Sequence, residues 1–574
     1  MELRQHDCLA LPPGHWLLIL EDLLVVQRRV NSGQRRLASA LLAVPLFGLT
    51  ACPSNPSDPP PIEYQCGTTD PPASVPAGEA CGAGDPNLPP EPALPTDVCQ
   101  ELAANKSFPD ENNLDTSRVQ TALAACKGRA VKLVADGDNN VFITSTIAVN
   151  SVTLWVDSGV TLYASRNPEL YQKTGNCGTV GVNDSGACND FITMSGSSPG
   201  IVGDGTIDGQ GGEPLVGRDY SWWQSSYALR AIDGSIGNPT LINTSSGTTG
   251  LLLYRIHLQN SPKFHVKITS TPSYGTTTCT NPGDGFIVWG ITLLTPSRWT
   301  NSRGEVLTPS FARNTDGVDP GANSIAQCGV IACNTISTGD DHVAIKGGHW
   351  VSNLVIAHNH FGTGHGMSIG SETYGSYQSP DGVQHLGVEN VNIYDLTIDA
   401  DSRPVGSDAQ AADFNGIRVK SDESRGGTVN NITYSDICMR DLTNAILIST
   451  AYNPLFAGTY VPKFGILSFH NIHHVTCMAL NPAVMTLNGF SAAYPAGPIT
   501  LDNVIVDNMG PMDVSSQFAN IVLGPGNFGP DETLLYTPVG QDVAVLDNRQ
   551  DGSVPRACVF PTLPAPAPPS GWLR

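Results

Sequence analysis

Three aspartates, a histidine and two cations recur at a spacing that would gather them if the chain coils with a fixed period. Asp316 stands in NTDGVDP, Asp340 and Asp341 in TGDDHVAIK, His365 in TGHGMSIGS, and Arg418 and Lys420 in NGIRVKS. Asp316 and Asp340 are 24 residues apart, as are Asp341 and His365, and Ile345 and Ile369. Crowded carboxyl groups titrate apart, so one can stay protonated while its neighbour is ionised. That division of labour suits glycoside hydrolysis: one carboxyl protonates the leaving oxygen and another activates water. An arginine and a lysine beside them suit the carboxylate of an acidic sugar. Taken singly, each residue has a plainer reading: Asp-Gly is a turn, Asp-Asp a solvated loop, a lone His structural, Arg and Lys surface charges. The common period argues against reading them singly.

The elements that would place them are short strands. SVTLWVDSGVTL (151–162), GIVGDGTIDG (200–209), LLLYRIHLQN (251–260), GFIVWGITLL (285–294), VIACNTIS (330–337), LVIAHNHFG (354–362), VNIYDLTIDA (391–400), NITYSDICM (431–439) and PITLDNVIVDN (498–508) are β-branched or alternating runs bounded by Asn, Gly and Asp. Helical patterns between them are missing, which excludes a βαβ plan. GIRVKS repeats the register, setting Ile417 and Val419 where Met367 and Ile369 stand. A period near 24 with three strands per turn predicts an all-β fold, a single-stranded parallel β-helix; a propeller needs repeats of roughly 40–50 residues. Stacked coils lie about 4.8 Å apart, which would bring the acids within about 10 Å of one another. Arg418 and Lys420 alternate with Ile417 and Val419 and so share the face opposite that pair. DTSRVQTALAAC, Asp115–Cys126, has helical spacing with Asp115 or Thr116 as cap, and predicts a short helix closing the N-terminal end.

The formal charge of −22 argues against nucleic acid as a partner. It also means that attraction for an acidic polymer must be local, through Arg418, Lys420 and Lys346, and stronger at mildly acidic pH. The 14 cysteines fit an oxidising compartment. Cys66 with Cys81, Cys99 with Cys126, Cys177 with Cys188 and Cys328 with Cys333 are near enough in sequence to close short loops, although connectivity stays open. No zinc-like pairs occur, and no metal or cofactor is expected. RRVNSGQRR (28–36) followed by LASALLAVPLFGLTA (37–51) reads as a signal region. It ends in Leu49-Thr50-Ala51-Cys52, which resembles a bacterial lipobox and implies lipidation at Cys52. Because a signal should not begin so far in, Val30 is a candidate initiator. The expected organisation is 1–52 leader, 53–97 proline-rich linker, 98–558 β-helix and 559–574 proline-rich tail, with both proline-rich segments outside the fold. The protein would be secreted or anchored to the cell envelope, touching a membrane through that lipid alone, and a monomer.

Asn314-Thr315-Asp316, Gly339-Asp340-Asp341, Gly364-His365-Gly366 and Arg418-Val419-Lys420 resemble, in order, the four motifs of glycoside hydrolase family 28, the polygalacturonases. The resemblance runs from about 98 to 510, includes GIVGDGTIDGQGG and Trp222-Trp223, and lies nearest the bacterial endo-enzymes. It implies a right-handed β-helix and inverting hydrolysis of α-1,4-galacturonosyl bonds in polygalacturonate, the pectin backbone. Asp340 is implied as general acid, Asp316 and Asp341 as the pair that activates water, and His365 as tuning the acid's proton. Arg418, Lys420, Asn314 and Tyr452 are implied as substrate-binding. His342, where many relatives have Asn or Cys, and the insertion Ser402–Ala412 depart from the family pattern. Exo-attack, a rhamnogalacturonan hydrolase, a Ca²⁺-dependent lyase and a non-catalytic polysaccharide-binding β-helix are the competing readings.

Overall fold

The structure is a computed structural model that describes residues 81–229, 237–269, 279–322, 325–378, 382–400, 414–452, 458–477, 483–530, 536–550 and 554–567. The leader, most of the linker, the insertion 402–412 and residues 568–574 lie outside the described residues.

The chain winds as a right-handed parallel β-helix with strands on three faces. One face matters most here and forms the floor of the site. Its strands run Val266–Ile268, Val318–Pro320, Val343–Ile345, Met367–Gly370, Asn415–Lys420 and Asn444–Ser449, each paired in parallel with the next. Alternation explains why each strand sits as it does. Val343, Ile345, Met367, Ile369, Ile417 and Val419 point inward and are fully buried, stacking one on another in a single interior cluster. The residues between them point out. The expected equivalences hold: Ile345 pairs with Ile369, Met367 with Ile417 and Ile369 with Val419. At the floor's upstream end the offset is one residue longer, Val318 pairing with Val343. Carried back along the strand, that register aligns Asp316 with Asp341 rather than with Asp340.

The other faces are bridged by long strands such as Trp350–Phe361, Gln384–Asp399 and Gly427–Arg440. These bend at left-handed residues, Asn353, Asn390 and Asn431 at one corner and His358, Asp395 and Asp436 at the next. Asparagine and aspartate tolerate that conformation best among residues with a side chain. The asparagines also bond between coils, Asn431 Nδ2 donating to Asn390 Oδ1 at 2.7 Å. Each of the nine expected strand segments is observed as strand.

The N-terminal helix spans Thr116–Ala125 and buries Val119, Ala122 and Leu123 against the end of the core. Asp115 sits at its N-cap but makes no cap bond. Its carboxylate instead accepts from Lys106 Nζ, Arg118 Nε and the Ile143 amide.

The described parts of the two proline-rich segments, 81–97 and 559–567, pack on the outside of the β-helix. Residues 81–97 lie along the outside of the helix, where Leu88 and Leu94 cover an exterior apolar ladder of Val202, Tyr254, Trp289, Ala332 and Ala357. Cys81 is disulfide-bonded to Cys333, and Asp85 accepts from Tyr394 Oη and His358 Nε2. The tail returns along the same molecule. Cys558 joins Cys438, Arg556 bonds Asp395 and Asp436, and the Ala567 backbone exchanges hydrogen bonds with Ser297 and Trp299. An extended chain cannot build a core, but an elongated surface lets it lie flat and be stapled. Cys99–Cys126 and Cys177–Cys188 pair as the sequence spacing suggests. Cys81 and Cys328 do not take their sequence neighbours; Cys328 bonds Cys279. The chain's coiling brings distant cysteines closer than adjacent ones.

Candidate active site

The acids stand at the corner where the chain enters the floor. Thr338 fixes that corner: its Oγ1 donates to Asp340 O at 2.6 Å and accepts from Asp340 N at 3.1 Å. Thr315, one coil upstream, donates to Ala312 O and accepts from Gly339 N. Asn314, in a left-handed conformation, turns its amide onto Asp340 Oδ2 at 3.0 Å. The other Asp340 oxygen accepts from Asp341 N at 3.0 Å and meets His365 Nδ1 at 3.1 Å. His365 is held in turn by its amide on Asp340 O at 2.8 Å.

Asp341 is enclosed by cations. Its Oδ1 accepts from Ser368 Oγ at 2.8 Å and from Arg418 Nη2, and its Oδ2 accepts from Lys420 Nζ at 2.8 Å. Arg418 and Lys420 arrive from the next coil but one, on the outward face of Asn415–Lys420. Lys420 Nζ also lies 4.9 Å from the centre of the Tyr452 ring, which is exposed. Asp316 is reached at one oxygen by Lys346 Nζ at 3.4 Å, while its Oδ1 has no hydrogen-bond partner among the described residues. Lys346 is shared with Glu372 at 3.5 Å.

Exposure separates the acids. The Asp340 side chain is 17% exposed and His365 29%, against 3% for Asp316 and 2% for Asp341. Charge separates them too. Burial pushes the Asp340 carboxyl up, but His365 outweighs it and holds the group at about 2. Burial works against Asp341 as well, and Arg418 and Lys420 overcome it to leave the group well below the usual carboxylate range. Asp316 goes the other way, raised by burial first and then by Asp319 and Asp340. Asp319, wholly buried on the outward row of Val318–Pro320, is pushed up to about 7, chiefly by burial. In the free site the hold on a proton is therefore strongest on the Asp316 side and weakest at Asp340 and Asp341. The donor atoms of Asp340, Asp341 and His365 lie within 4.8 Å of one another, a cation-sized gap. Both Asp341 oxygens, however, are committed to Arg418 and Lys420.

Residues 175–524 match the family model Glycosyl hydrolases family 28. The chain is 37% identical over 462 residues to a polygalacturonase of Ralstonia nicotianae, covering 73% of this chain and 80% of that one. It is 37% identical over 421 residues to an endo-polygalacturonase of Pectobacterium carotovorum subsp. carotovorum, covering 72% and 88%. The solved polygalacturonase from Erwinia carotovora ssp. carotovora superposes with a TM-score of 0.56 at 30% identity, covering 82% of this chain and 99% of that one. The chain belongs to glycosyl hydrolases family 28. It is a glycoside hydrolase.

Within this family 28 chain, all six expected charged residues come together at one stretch of floor and its entering corner. Lys346, expected to face substrate, keeps a side chain 14% exposed and pairs with both Asp316 and Glu372. His342 now has a physical account. Its Nδ1 accepts from Gly366 N at 3.1 Å and its Nε2 donates to Gly362 O at 3.0 Å, and it stacks on Phe361. Burial holds it at about 4, so it is neutral and braces the loop that carries His365. A Cβ on Gly364, whose φ is +155°, would lie 2.6 Å from that ring. The first glycine of Gly-His-Gly is thereby required. Sequence reasoning missed His265 and Asp319. His265 is buried, donates its amide to Asp316 O, and bonds Thr295 Oγ1 at 2.7 Å. It fixes the backbone of the Asp316 turn. The second aspartate of NTDGVDP was the available sign of Asp319, since strand alternation points it outward between Val318 and Pro320. Trp222 and Trp223 are buried in a short helix, Trp222–Tyr227, outside the floor.

Proposed function

We propose that this chain hydrolyses α-1,4-galacturonosyl bonds within polygalacturonate, as an endo-acting, inverting enzyme with Asp340 as general acid. The reading rests on one observation above others: Asp340, alone of the three acids, combines partial exposure with a direct bond to His365. A group that protonates a leaving oxygen must be reachable. The endo-polygalacturonase among the relatives favours attack within the chain.

Asp340 is held as an anion in the free site, so it must take up its proton once substrate has bound. A galacturonate carboxylate drawn to Arg418 and Lys420 takes hydrogen bonds now spent on Asp341 and adds negative charge beside Asp340. Added negative charge raises carboxyl pKa values. The proton bridging Asp340 and His365 then moves onto Asp340, which gives it to the glycosidic oxygen as the C1–O bond breaks. A water oxygen bonds to C1 from the opposite side, and its proton passes to Asp341 or Asp316, whichever is then ionised. Tyr452 supplies a ring face beside the bound sugar, and Asn314 holds Asp340 through its amide.

The test is incubation of polygalacturonate with the enzyme while viscosity and reducing ends are followed together. Rapid thinning with few new ends is expected. Monomer release without thinning would make the enzyme exo-acting, and ultraviolet-absorbing unsaturated products would make it a lyase. NMR of the first-formed anomer checks inversion.

The disulfides among the described residues fit an oxidising compartment. We read the chain as exported and acylated at Cys52, which mass spectrometry of the native N-terminus tests.

A further inference from the structure

The floor carries a second group of cations, upstream of the acids. Val266 and Ile268 are buried in the core, so Lys267 between them faces outward, in register with Asp319 on the next strand. Just before this strand, His265 N donates to Asp316 O, which sets Phe264 and Lys263 one coil above the Asn314–Asp316 turn. Both lysines approach one ring: Lys263 Nζ lies 5.0 Å and Lys267 Nζ 5.8 Å from the centre of the half-buried Phe264 ring. Two ammonium groups beside one aromatic ring, upstream of the acids, offer an acidic sugar both charge and an apolar surface. Burial first and then Lys267 pull the Lys263 amine down to about 8, despite Asp190, Asp316 and Asp319 nearby.

We propose that Lys263, Phe264 and Lys267 form a second carboxylate-binding subsite, for a galacturonate unit on the far side of the cleaved bond from Arg418 and Lys420. This deepens, and rests on, the reading of the chain as a polygalacturonate hydrolase. The ring offers an apolar face for the sugar's C–H surface, and the two ammonium groups close on its carboxylate. Register sets the reach. Lys267 aligns with Asp319, and Arg418 aligns with Ser368 one coil below the Val343–Ile345 strand. The two cation groups are thus four coil steps apart, about 19 Å at the usual strand separation. A pyranosyl unit advances by a length comparable to one coil. A substrate of three units cannot engage both groups, and one of six can.

The experiment compares wild type, K263M/K267M and K263R/K267R on polygalacturonate, hexagalacturonate and trigalacturonate, with end-labelled hexamer to map the bond cut. The Met pair should raise KM on hexamer and polymer about tenfold, the scale of a lost charge-assisted contact. It should shift the preferred bond on hexamer, leave trimer KM unchanged, and be rescued by the Arg pair. Unaltered hexamer KM and cleavage position would overturn the subsite. So would equal losses on trimer and hexamer, because the lysines would then serve Asp316 and Asp319 alone. Wild type inactive on polygalacturonate would remove the hydrolase reading itself and this subsite with it.

Discussion

Replacing Asp319 with Asn should stabilise the protein, and more so as pH rises. Asp319 is 1% exposed, and neither carboxylate oxygen has a hydrogen-bond partner among the described residues. Burial and neighbouring acids push it from the ordinary 3.8 to about 7, against the pull of Lys346 and Lys267. The folded state therefore holds a proton that the unfolded chain releases between those values. Stability falls with pH wherever the folded state binds more protons, so wild type loses ground as pH climbs from about 4 to 7 and nothing further beyond. At about 1.4 kcal/mol per pH unit, the cost integrates to about 2 kcal/mol at pH 5 and about 4 kcal/mol at pH 8. Asn has the same shape and no proton to lose. Urea unfolding of both proteins at pH 5 and pH 8 should show D319N gaining about 2 to 3 kcal/mol more at the higher pH. The general effect of net charge cancels in that comparison. Because Asp319 helps raise Asp316, which must be ionised to take the water's proton, the variant's acidic activity limb should also move to lower pH. Equal stabilisation at both pH values, or a loss that grows with pH, would refute the buried-proton argument.

Other expectations are open to direct measurement. D340N should lower kcat by about 10²- to 10⁴-fold, the range of a lost general acid, with an unchanged circular dichroism spectrum. R418M should raise KM and, by leaving Asp341 buried with a charge half unpaired, should also destabilise the fold by about 3 kcal/mol; K420M should do the same on both readouts. On the outer face, His358 is raised chiefly by its bond to Asp395, with Asp85 adding to it. A raised histidine stabilises fully below its unfolded value near 6.5, and the contribution is lost as pH rises through the folded value. With the Cys81–Cys333 bond removed by C81S/C333S, proteolysis within 81–97 should increase toward alkaline pH, and H358Q should abolish that dependence.

The parts legible in the sequence were those set by alternation and period. Ile345, Ile369 and Val419 align because inward residues must stack, and the outward placement of Arg418 and Lys420 follows from the same pleat. One extra residue between neighbouring coils hid the alignment of Asp316 with Asp341, since a fixed period of 24 cannot register it. The Cys81–Cys333 and Cys438–Cys558 bonds close separations of 252 and 120 residues, and only the wound chain makes them neighbours. His265 and His342 resemble any other histidine in a sequence. Their roles come from backbone groups that exist only once the corners have formed.

The site's electrostatics also answer how so acidic a protein can hold an acidic polymer. Bulk attraction is excluded at a formal charge of −22, and long-range repulsion is screened beyond about 8 Å at physiological ionic strength. What remains is local, and the floor carries its cations in a row facing the cleft: Lys267, then Arg418 and Lys420, with acids between them. In the free state Arg418 and Lys420 are neutralised by Asp341. On the proposed reading a substrate carboxylate shares these two cations with Asp341 and adds negative charge beside Asp340. That added charge would raise the catalytic acids' hold on a proton. On the proposed reading, recognition of the acidic sugar and arming of Asp340 draw on the same two side chains, and a neutral sugar at that position should bind without arming it.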